Sequence, residues 1–168
     1  MSIREDPTWF WMLMGLAGPP VALVCLGFLI QPRWVAFAHV DLPGWLRLAG
    51  IPLGFSGVAL FAWMLVHLGL NVTSTSRPRQ SAKLVTSGPY RWIRHPMYTF
   101  TLVLLLSASL LTASGVVAVG GLIMFALLAT RSGLEEQRLG EKFGEAYRAY
   151  QRRTGRFLPR WRQDRDVG

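Results

Sequence analysis

A short polar stretch between two long apolar segments holds the residues best suited to chemistry, and it runs from Gly88 to Tyr98. Gly88 and Pro89 predict a chain reversal, because glycine accepts a positive φ and proline fixes its own φ. Pro96 disfavours the α conformation at His95, yet proline is well suited to the first position of a helix. We therefore expect a helix to begin at Pro96 or at the next residue, with His95 at its N-terminal end, which we call the mouth of the helix.

The chemistry that this stretch favours is the binding of an anionic group. Free N–H groups at a helix N-terminus carry a partial positive charge, and Arg91 and Arg94 lie close to His95 in the chain. A second interpretation is an interfacial loop, in which the arginines contact lipid headgroups and His95 is only a cap. In that case Trp92 and Tyr98 act as membrane anchors.

The C-terminal segment contains a second set of polar residues, in which Glu135 and Glu136 precede an aromatic pattern. Ser132-x-x-Glu135 matches the capping box, so Glu135 has a sufficient structural role, whereas Glu136 is the stronger candidate for a site. The large residues that follow recur at helical spacing, which predicts an amphipathic helix under the membrane domain or in its interface. These residues are Leu139, Phe143, Tyr147 and Tyr150. Beyond Gly155 we expect a frayed, arginine-rich tail that touches anionic lipid.

The composition indicates that both segments belong to an integral membrane protein. The chain has 168 residues, of which 51% are hydrophobic, and a formal net charge of +9. Several apolar runs approach the roughly 20 residues that cross a bilayer, which a basic nucleic-acid-binding protein would not contain. Membrane lipids rather than nucleic acid are therefore the expected partners. The single cysteine, Cys25, lies in an apolar run, so neither a disulfide within the chain nor a metal site is expected.

Four membrane helices are predicted, over residues 8–30, 46–70, 98–113 and 115–130. The uncharged run 98–130 would be about 50 Å long as one helix, which exceeds a hydrocarbon core of about 30 Å. A break at residues 112–115 therefore predicts a tight hairpin of two short helices.

The second predicted span carries two further features. Gly50, Gly54 and Gly57 lie on related helix faces and predict close packing against a neighbouring helix. His67 lies near the end of the span and is a further candidate for function, because ionisable residues in membrane segments are often functional.

The distribution of charge predicts which ends of the helices face the cytoplasm. With four spans, the N-terminus, residues 71–97 and the tail from Arg131 share one face, and they hold every Lys and Arg except Arg33 and Arg47. The positive-inside rule then places both termini of this multi-pass protein in the cytoplasm. With three spans, the two most basic segments would fall on opposite faces. The sequence therefore predicts an all-α fold, a single-domain polytopic membrane helical bundle (residues 1–168) with a cytoplasmic amphipathic C-terminal helix.

The two polar segments together resemble the integral-membrane methyltransferases that include isoprenylcysteine carboxyl methyltransferase and the phospholipid N-methyltransferases. The first motif reads Gly88-Pro89-Tyr90, followed by Arg94-His95-Pro96-Met97-Tyr98. The second reads Glu135-Glu136-x-x-Leu139-x-x-x-Phe143-Gly144-x-x-Tyr147-x-x-Tyr150, followed by Arg156 and Pro159. The resemblance covers about residues 70–160 and has both motifs in the family's order.

The resemblance implies that residues 71–97 and 131–160 bind S-adenosylmethionine near the cytoplasmic face. It implies a lipophilic methyl acceptor that enters from the bilayer, either an isoprenylcysteine-like carboxylate or a lipid headgroup. The implied cofactor-binding residues are Tyr90, Arg94, His95, Tyr98, Glu135 and Glu136. Of these, Arg94, His95 and Glu136 are the implied catalytic residues. Phe100 stands where the family usually has glycine, which predicts either the loss of a close backbone approach at this position or a reshaped pocket.

The chemistry of these residues is consistent with that implication. The carboxylate of the cofactor requires cationic hydrogen-bond donors, and its ammonium group requires a carboxylate. Its sulfonium requires electron-rich surroundings. A carboxylate acceptor needs only orientation, by Arg91 or Arg94, whereas an amine or thiol needs a base, for which His95 or a glutamate is available. Two alternatives stay open: a nicotinamide-dependent membrane reductase of the sterol-reductase type, which shares an Arg-His-Pro stretch, and a membrane protein that is not an enzyme.

Overall fold

The computed structural model describes residues 8–69 and 83–160, and every regular element in those residues is helical. The α-helices are α1 Thr8–Ile30, α2 Gly44–Leu68, α3 Pro96–Thr112, α4 Gly115–Phe143 and α5 Glu145–Arg153. Two 3₁₀ helices, Pro32–Ala38 and Gly88–Arg91, lie between them. The predicted all-α class is confirmed. Residue 70 and most of the basic loop that follows it lie outside the described residues.

Three helices of the described chain are long and apolar enough to cross a membrane. They are α1 from Met12 onward, α2 and α4, while α3 is apolar but has only 17 residues. Helix α3 packs against α2 on one side and against α4 on the other, and α1 packs against α4. The predicted helical membrane bundle is therefore confirmed, with α3 between its neighbours.

Close approach of α2 and α3 depends on the glycines of α2. A Cβ atom on Gly54 would lie 2.6 Å from the Ser107 hydroxyl, and one on Gly57 would lie 2.8 Å from the Leu104 side chain. The Ser107 hydroxyl donates a hydrogen bond to the Gly50 carbonyl at 2.7 Å, so the helix backbone itself contacts the partner. The predicted role of these glycines in tight packing is confirmed.

The hairpin between α3 and α4 turns within two residues. Helix α3 ends at Thr112, Ala113 adopts a left-handed conformation with φ 46°, and α4 begins at Gly115. The Ser114 hydroxyl accepts the Val117 N–H at 3.4 Å and caps the first turn of α4. The predicted break at residues 112–115 is confirmed.

The capping-box pattern at Ser132 does not mark a helix start, because α4 continues beyond the predicted end at residue 130, through this position, to Phe143. The Ser132 hydroxyl is fully buried and donates to the Ala129 carbonyl at 2.7 Å instead of capping a helix. A serine inside a helix can bond to a carbonyl of the preceding turn, so the capping-box pattern alone does not fix a helix start. The helix breaks only at Gly144, whose φ of 57° favours glycine, and the amphipathic helix α5 follows.

Candidate active site

The polar loop before α3 is fixed by the chain that follows α5. The Gly155 N–H donates to the Trp92 carbonyl at 3.0 Å, and the Arg94 N–H donates to the Gly155 carbonyl at 2.8 Å. The His95 N–H donates to the Arg156 carbonyl at 3.0 Å. The expectation of a frayed tail is therefore wrong directly beyond Gly155, because this segment provides backbone acceptors for the N–H groups that precede α3. Residues 161–168 of the predicted tail lie outside the described residues.

Arg94 joins the loop to α4 and α5. Its Nε donates to Glu136 Oε1 at 2.9 Å, and its Nη1 donates to the carbonyls of Gln151, at 3.2 Å, and Thr154. The Arg94 and Glu136 side chains are only 13% and 14% exposed, so solvent screens this ion pair much less than a surface pair. Arg94 therefore connects the three segments that form the site.

His95 lies between the two glutamates of α4. Its Nε2 is 3.2 Å from Glu136 Oε1 and its Nδ1 is 3.5 Å from Glu135 Oε2, while its ring stacks on Tyr98. Burial of His95 opposes its charged form, but hydrogen bonds and charges from both glutamates outweigh burial and raise the pKa of the imidazole. A carboxylate oxygen near each ring nitrogen favours the doubly protonated, cationic form of His95.

Glu135 belongs to the same cluster rather than to a helix cap. The Tyr98 hydroxyl donates to Glu135 Oε1 at 2.8 Å, and Arg131 Nε lies 3.8 Å from that oxygen. The structural role that the capping box assigned to Glu135 is thus replaced by direct contacts with the mouth of α3.

Tyr90 lies at the edge of the cluster. Its carbonyl accepts a hydrogen bond from the Tyr150 hydroxyl at 2.7 Å, and its side chain packs against the buried group formed by Met64, Ile93 and Phe100. Burial, together with the negative charge of Glu135, raises the pKa of the Tyr90 phenol. The structure thus brings all six sequence-predicted site residues together.

Phe100 does not enter the charged cluster. It is 6% exposed and packs with Met64 of α2 and Ile93 of the loop. Tyr98, two residues earlier, faces Glu135 instead. The large residue at position 100 therefore fills the interface between α2 and α3, which glycine would leave unfilled.

His67 lies outside the cluster as well. Its Nδ1 is 3.0 Å from the Trp63 carbonyl, and its ring stands edge-on to the Trp63 ring. A Cβ atom on Gly88 would overlap the His67 ring, and Gly88 also has a φ of 58°. Glycine is therefore required at this turn both for its conformation and for its contact with α2.

Four residues of the cluster were not predicted from the sequence to be site residues. Gln151 Nε2 donates to Glu136 Oε2 at 3.3 Å, and Arg156 Nε lies 3.5 Å from Glu136 Oε1. The Phe157 ring is 5.8 Å from the His95 ring. Tyr147 is almost completely buried beside them. Tyr147 and Arg156 fall within the second motif, whereas Gln151 and Phe157 carry no sequence signal.

Aromatic contacts connect the cluster with the apolar part of α4. The Phe125 and Phe157 rings are 5.4 Å apart, and Phe157 in turn contacts His95. The charged cluster is thus in contact with apolar side chains of α4.

The arrangement suits a small zwitterion better than a metal ion. Cationic groups and two carboxylates alternate within a few ångströms, which provides partners for both a carboxylate and an ammonium group. Within residues 8–69 and 83–160, no group of three or more His, Cys, Asp or Glu side chains is placed to hold a metal ion.

Comparison with known proteins adds a family match. A model of the phospholipid methyltransferase family matches residues 45–146, which include α2, the loop before α3, the hairpin and both glutamates.

Three curated proteins are similar to the chain. The nickel-cobalt-cadmium resistance protein NccN of Alcaligenes xylosoxydans xylosoxydans is 32% identical over 69% of this chain and 53% of its own length. The cobalt-zinc-cadmium resistance protein CzcN of Cupriavidus metallidurans is 33% identical over 74% and 56%. A methanethiol S-methyltransferase of a Pseudomonas species is 29% identical over 85% and 57%. The chain thus spans just over half the length of these relatives.

A solved structure shares the fold. The eukaryotic intramembrane Ras methyltransferase ICMT (isoprenylcysteine carboxyl methyltransferase) superposes with a TM-score of 0.62 and 19% sequence identity. The match covers 93% of this chain and 54% of that protein, so the similarity extends over nearly all of the helices described above.

Proposed function

The chain belongs to the phospholipid methyltransferase family, and we propose that it transfers the methyl group of S-adenosylmethionine to a lipophilic acceptor at the cytoplasmic membrane face. One observation carries the proposal. At the N-terminus of α3, Arg94 of the loop donates to Glu136 at 2.9 Å, Tyr98 of the first helical turn donates to Glu135 at 2.8 Å, and His95 lies between the two glutamates.

The residues present fit S-adenosylmethionine by their chemistry. Arg94 and Arg156 are the cations that would hold its carboxylate, and Glu135 and Glu136 are the anions that would hold its ammonium group. The Tyr98 ring stacks on His95, and the Tyr90 phenol lies close enough to Glu135 to feel its charge, so both rings would offer electron-rich surroundings for a sulfonium. The cations and anions now pair with each other, so binding would exchange these pairs for new ones of the same kind.

When bound, the cofactor supplies a methyl group on a positively charged sulfur, which a nucleophile displaces in line. The chain contributes orientation and exclusion of water, because the side chains of Arg94 and His95 are mostly buried. No covalent intermediate with the protein is needed for such a displacement.

The surroundings of His95 bear on the choice of acceptor. A carboxylate oxygen beside each ring nitrogen favours the protonated form of His95 before the cofactor binds, so we propose that its main role is to orient groups rather than to act as a general base. We therefore favour an acceptor that is already anionic, such as an isoprenylcysteine-like carboxylate, over a protonated lipid amine. A thiol is the second candidate, because a relative that covers 85% of the chain is named a methanethiol S-methyltransferase and thiols lose a proton more readily than amines.

Two features support a lipophilic acceptor and a cytoplasmic site. The contacts from Phe125 through Phe157 to His95 join the cluster to apolar side chains of α4, where a lipophilic acceptor would find apolar partners. The positive-inside rule places the basic segments around the cluster in the cytoplasm.

The experiment that tests the proposal uses the purified full chain in lipid nanodiscs. Binding of S-adenosylmethionine and of a reduced nicotinamide cofactor is measured side by side, and transfer from methyl-labelled cofactor is followed by mass spectrometry. The acceptors offered are membrane lipids, a farnesylated cysteine and methanethiol. We expect cofactor binding and one labelled product. Binding of the nicotinamide cofactor alone would favour the reductase alternative, and binding of neither would favour a protein that is not an enzyme.

A further inference from the structure

Tyr147 presents a buried polar group that the packing of the chain does not explain. Its residue exposure is 1%, and its hydroxyl has no hydrogen-bond partner among the described residues. The neighbouring Tyr150 differs, because its hydroxyl donates to the Tyr90 carbonyl at 2.7 Å. Buried hydroxyl groups are nearly always paired, since an unpaired one destabilises the protein. The unpaired Tyr147 hydroxyl therefore destabilises the folded protein, whereas phenylalanine would pack at this position without that loss.

The surroundings of Tyr147 place it beside the charged cluster. The turn at Gly144 folds α5 back on α4, and a Cβ atom on Gly140 would lie 3.9 Å from Tyr147 Cδ1. Burial raises the pKa of the Tyr147 phenol, and the nearby charge of Glu136 adds to this effect while Arg94 opposes it. The phenol thus stays a hydrogen-bond donor at neutral pH, close to the residues proposed to hold the charged end of the cofactor.

We propose that the Tyr147 hydroxyl binds the carboxylate of S-adenosylmethionine by donating a hydrogen bond to it. This inference rests on the proposed function. The position of Arg94 supports it, because the same guanidinium that faces Glu136 would attract the carboxylate of the cofactor to the neighbourhood of Tyr147. The hydroxyl is then a binding residue of the site, whereas Tyr150, three residues later, is a structural partner of the loop.

The test compares Tyr147→Phe with its matched control Tyr150→Phe, each as full-length protein in nanodiscs. Without cofactor, Tyr147→Phe should unfold at the same temperature as the wild type or higher, because it removes an unpaired hydroxyl. Tyr150→Phe should unfold at a lower temperature, because it removes a hydrogen bond to the loop. The affinity for S-adenosylhomocysteine should fall about tenfold or more in Tyr147→Phe, the loss expected for a hydrogen bond to a charged group.

A second ligand locates the contact. Decarboxylated S-adenosylmethionine lacks the carboxylate, so Tyr147→Phe should bind it as well as the wild type does. Equal affinity of Tyr147→Phe and wild type for S-adenosylhomocysteine would overturn the role of Tyr147 while leaving the proposed function intact. An equal loss for both ligands would overturn its assignment to the carboxylate. Failure of the wild type to bind any of these ligands would overturn the proposed function itself.

Discussion

Arg94 and Glu136 lie 42 positions apart in the chain, yet the Arg94 guanidinium donates to the Glu136 carboxylate at 2.9 Å. The guanidinium also donates to two carbonyls at the end of α5, so one side chain joins the loop before α3 to both C-terminal helices. Because breaking a largely buried ion pair leaves an uncompensated charge, we expect this pair to be important for the folding of the site.

Glu136→Gln should weaken S-adenosylmethionine binding more than Glu135→Gln does. Glu136 holds Arg94 and Arg156, both proposed for the carboxylate of the cofactor, so its loss misplaces two cations. We expect a loss on the order of tenfold or more for Glu136→Gln, as for a hydrogen bond to a charged group. Affinities are compared between preparations of similar melting temperature. Small and equal losses in both variants would assign the two carboxylates to helix packing alone.

The contribution of His95 to stability should decrease as pH rises. The glutamates raise its pKa in the folded protein above the ordinary value of 6.5, so the folded state binds the proton more tightly than the unfolded state. This contribution is complete below about pH 6.5 and disappears as pH rises through the raised pKa. Comparing the unfolding free energies of wild type and His95→Gln from pH 6 to pH 9 measures it. A difference that does not depend on pH would contradict a charged His95.

Gly54→Leu should destabilise the bundle, because a Cβ atom at this position already lies 2.6 Å from the Ser107 hydroxyl. Overpacking of this kind costs about 1–3 kcal/mol. Gly15→Leu is the matched control, since a Cβ atom on Gly15 of α1 has no neighbour within 4 Å. The melting temperatures of both variants in one detergent test the prediction, and similar shifts in the two would argue against the α2–α3 contact.

Gly155→Ala should disturb the site although it changes neither glutamate of α4, because Gly155 lies in the turn that holds the loop before α3. A Cβ atom on Gly155 would overlap the Leu158 carbonyl, so the turn that accepts the Arg94 N–H must shift. We expect lower stability, by about 1–3 kcal/mol, and weaker cofactor binding. Gly18→Ala, which meets no neighbour within 4 Å, is the control. Wild-type affinity in Gly155→Ala would show that the segment after α5 does not shape the site.

Both termini and the basic loop should face the cytoplasm. Four helices cross the bilayer in this prediction, and the charge bias between the two faces sets their orientation. Reporter fusions after Gln80 and after Gly168 should therefore give the same sidedness. Opposite signals would contradict the four-span arrangement and the meeting of the two motifs at one face.

The sequence by itself determined the features that depend on neighbouring residues. The start of α3 at Pro96, the turn at Gly88 and the hairpin break at Ala113 all follow from the backbone preferences of proline and glycine or from the length of an apolar run. The glycines of α2 likewise signalled close packing by their spacing alone.

Local patterns were misleading where tertiary contacts compete with them. The capping box at Ser132 was overridden because the apolar and polar parts of α4 form one uninterrupted helix. The chain directly beyond Gly155 is held in place because the Arg94 and His95 N–H groups donate to the Gly155 and Arg156 carbonyls, a requirement that no residue of that segment reveals.

The site itself was decided only by the tertiary structure. The motifs named Arg94, His95 and the two glutamates, but they did not show that both nitrogens of His95 face carboxylates, which favours its protonated form. Nor did they separate Tyr147 from Tyr150, two tyrosines of one motif. Packing around α5 gives one hydroxyl a backbone partner and leaves the other buried beside the charges, and such burial depends on contacts between segments that are distant in the chain.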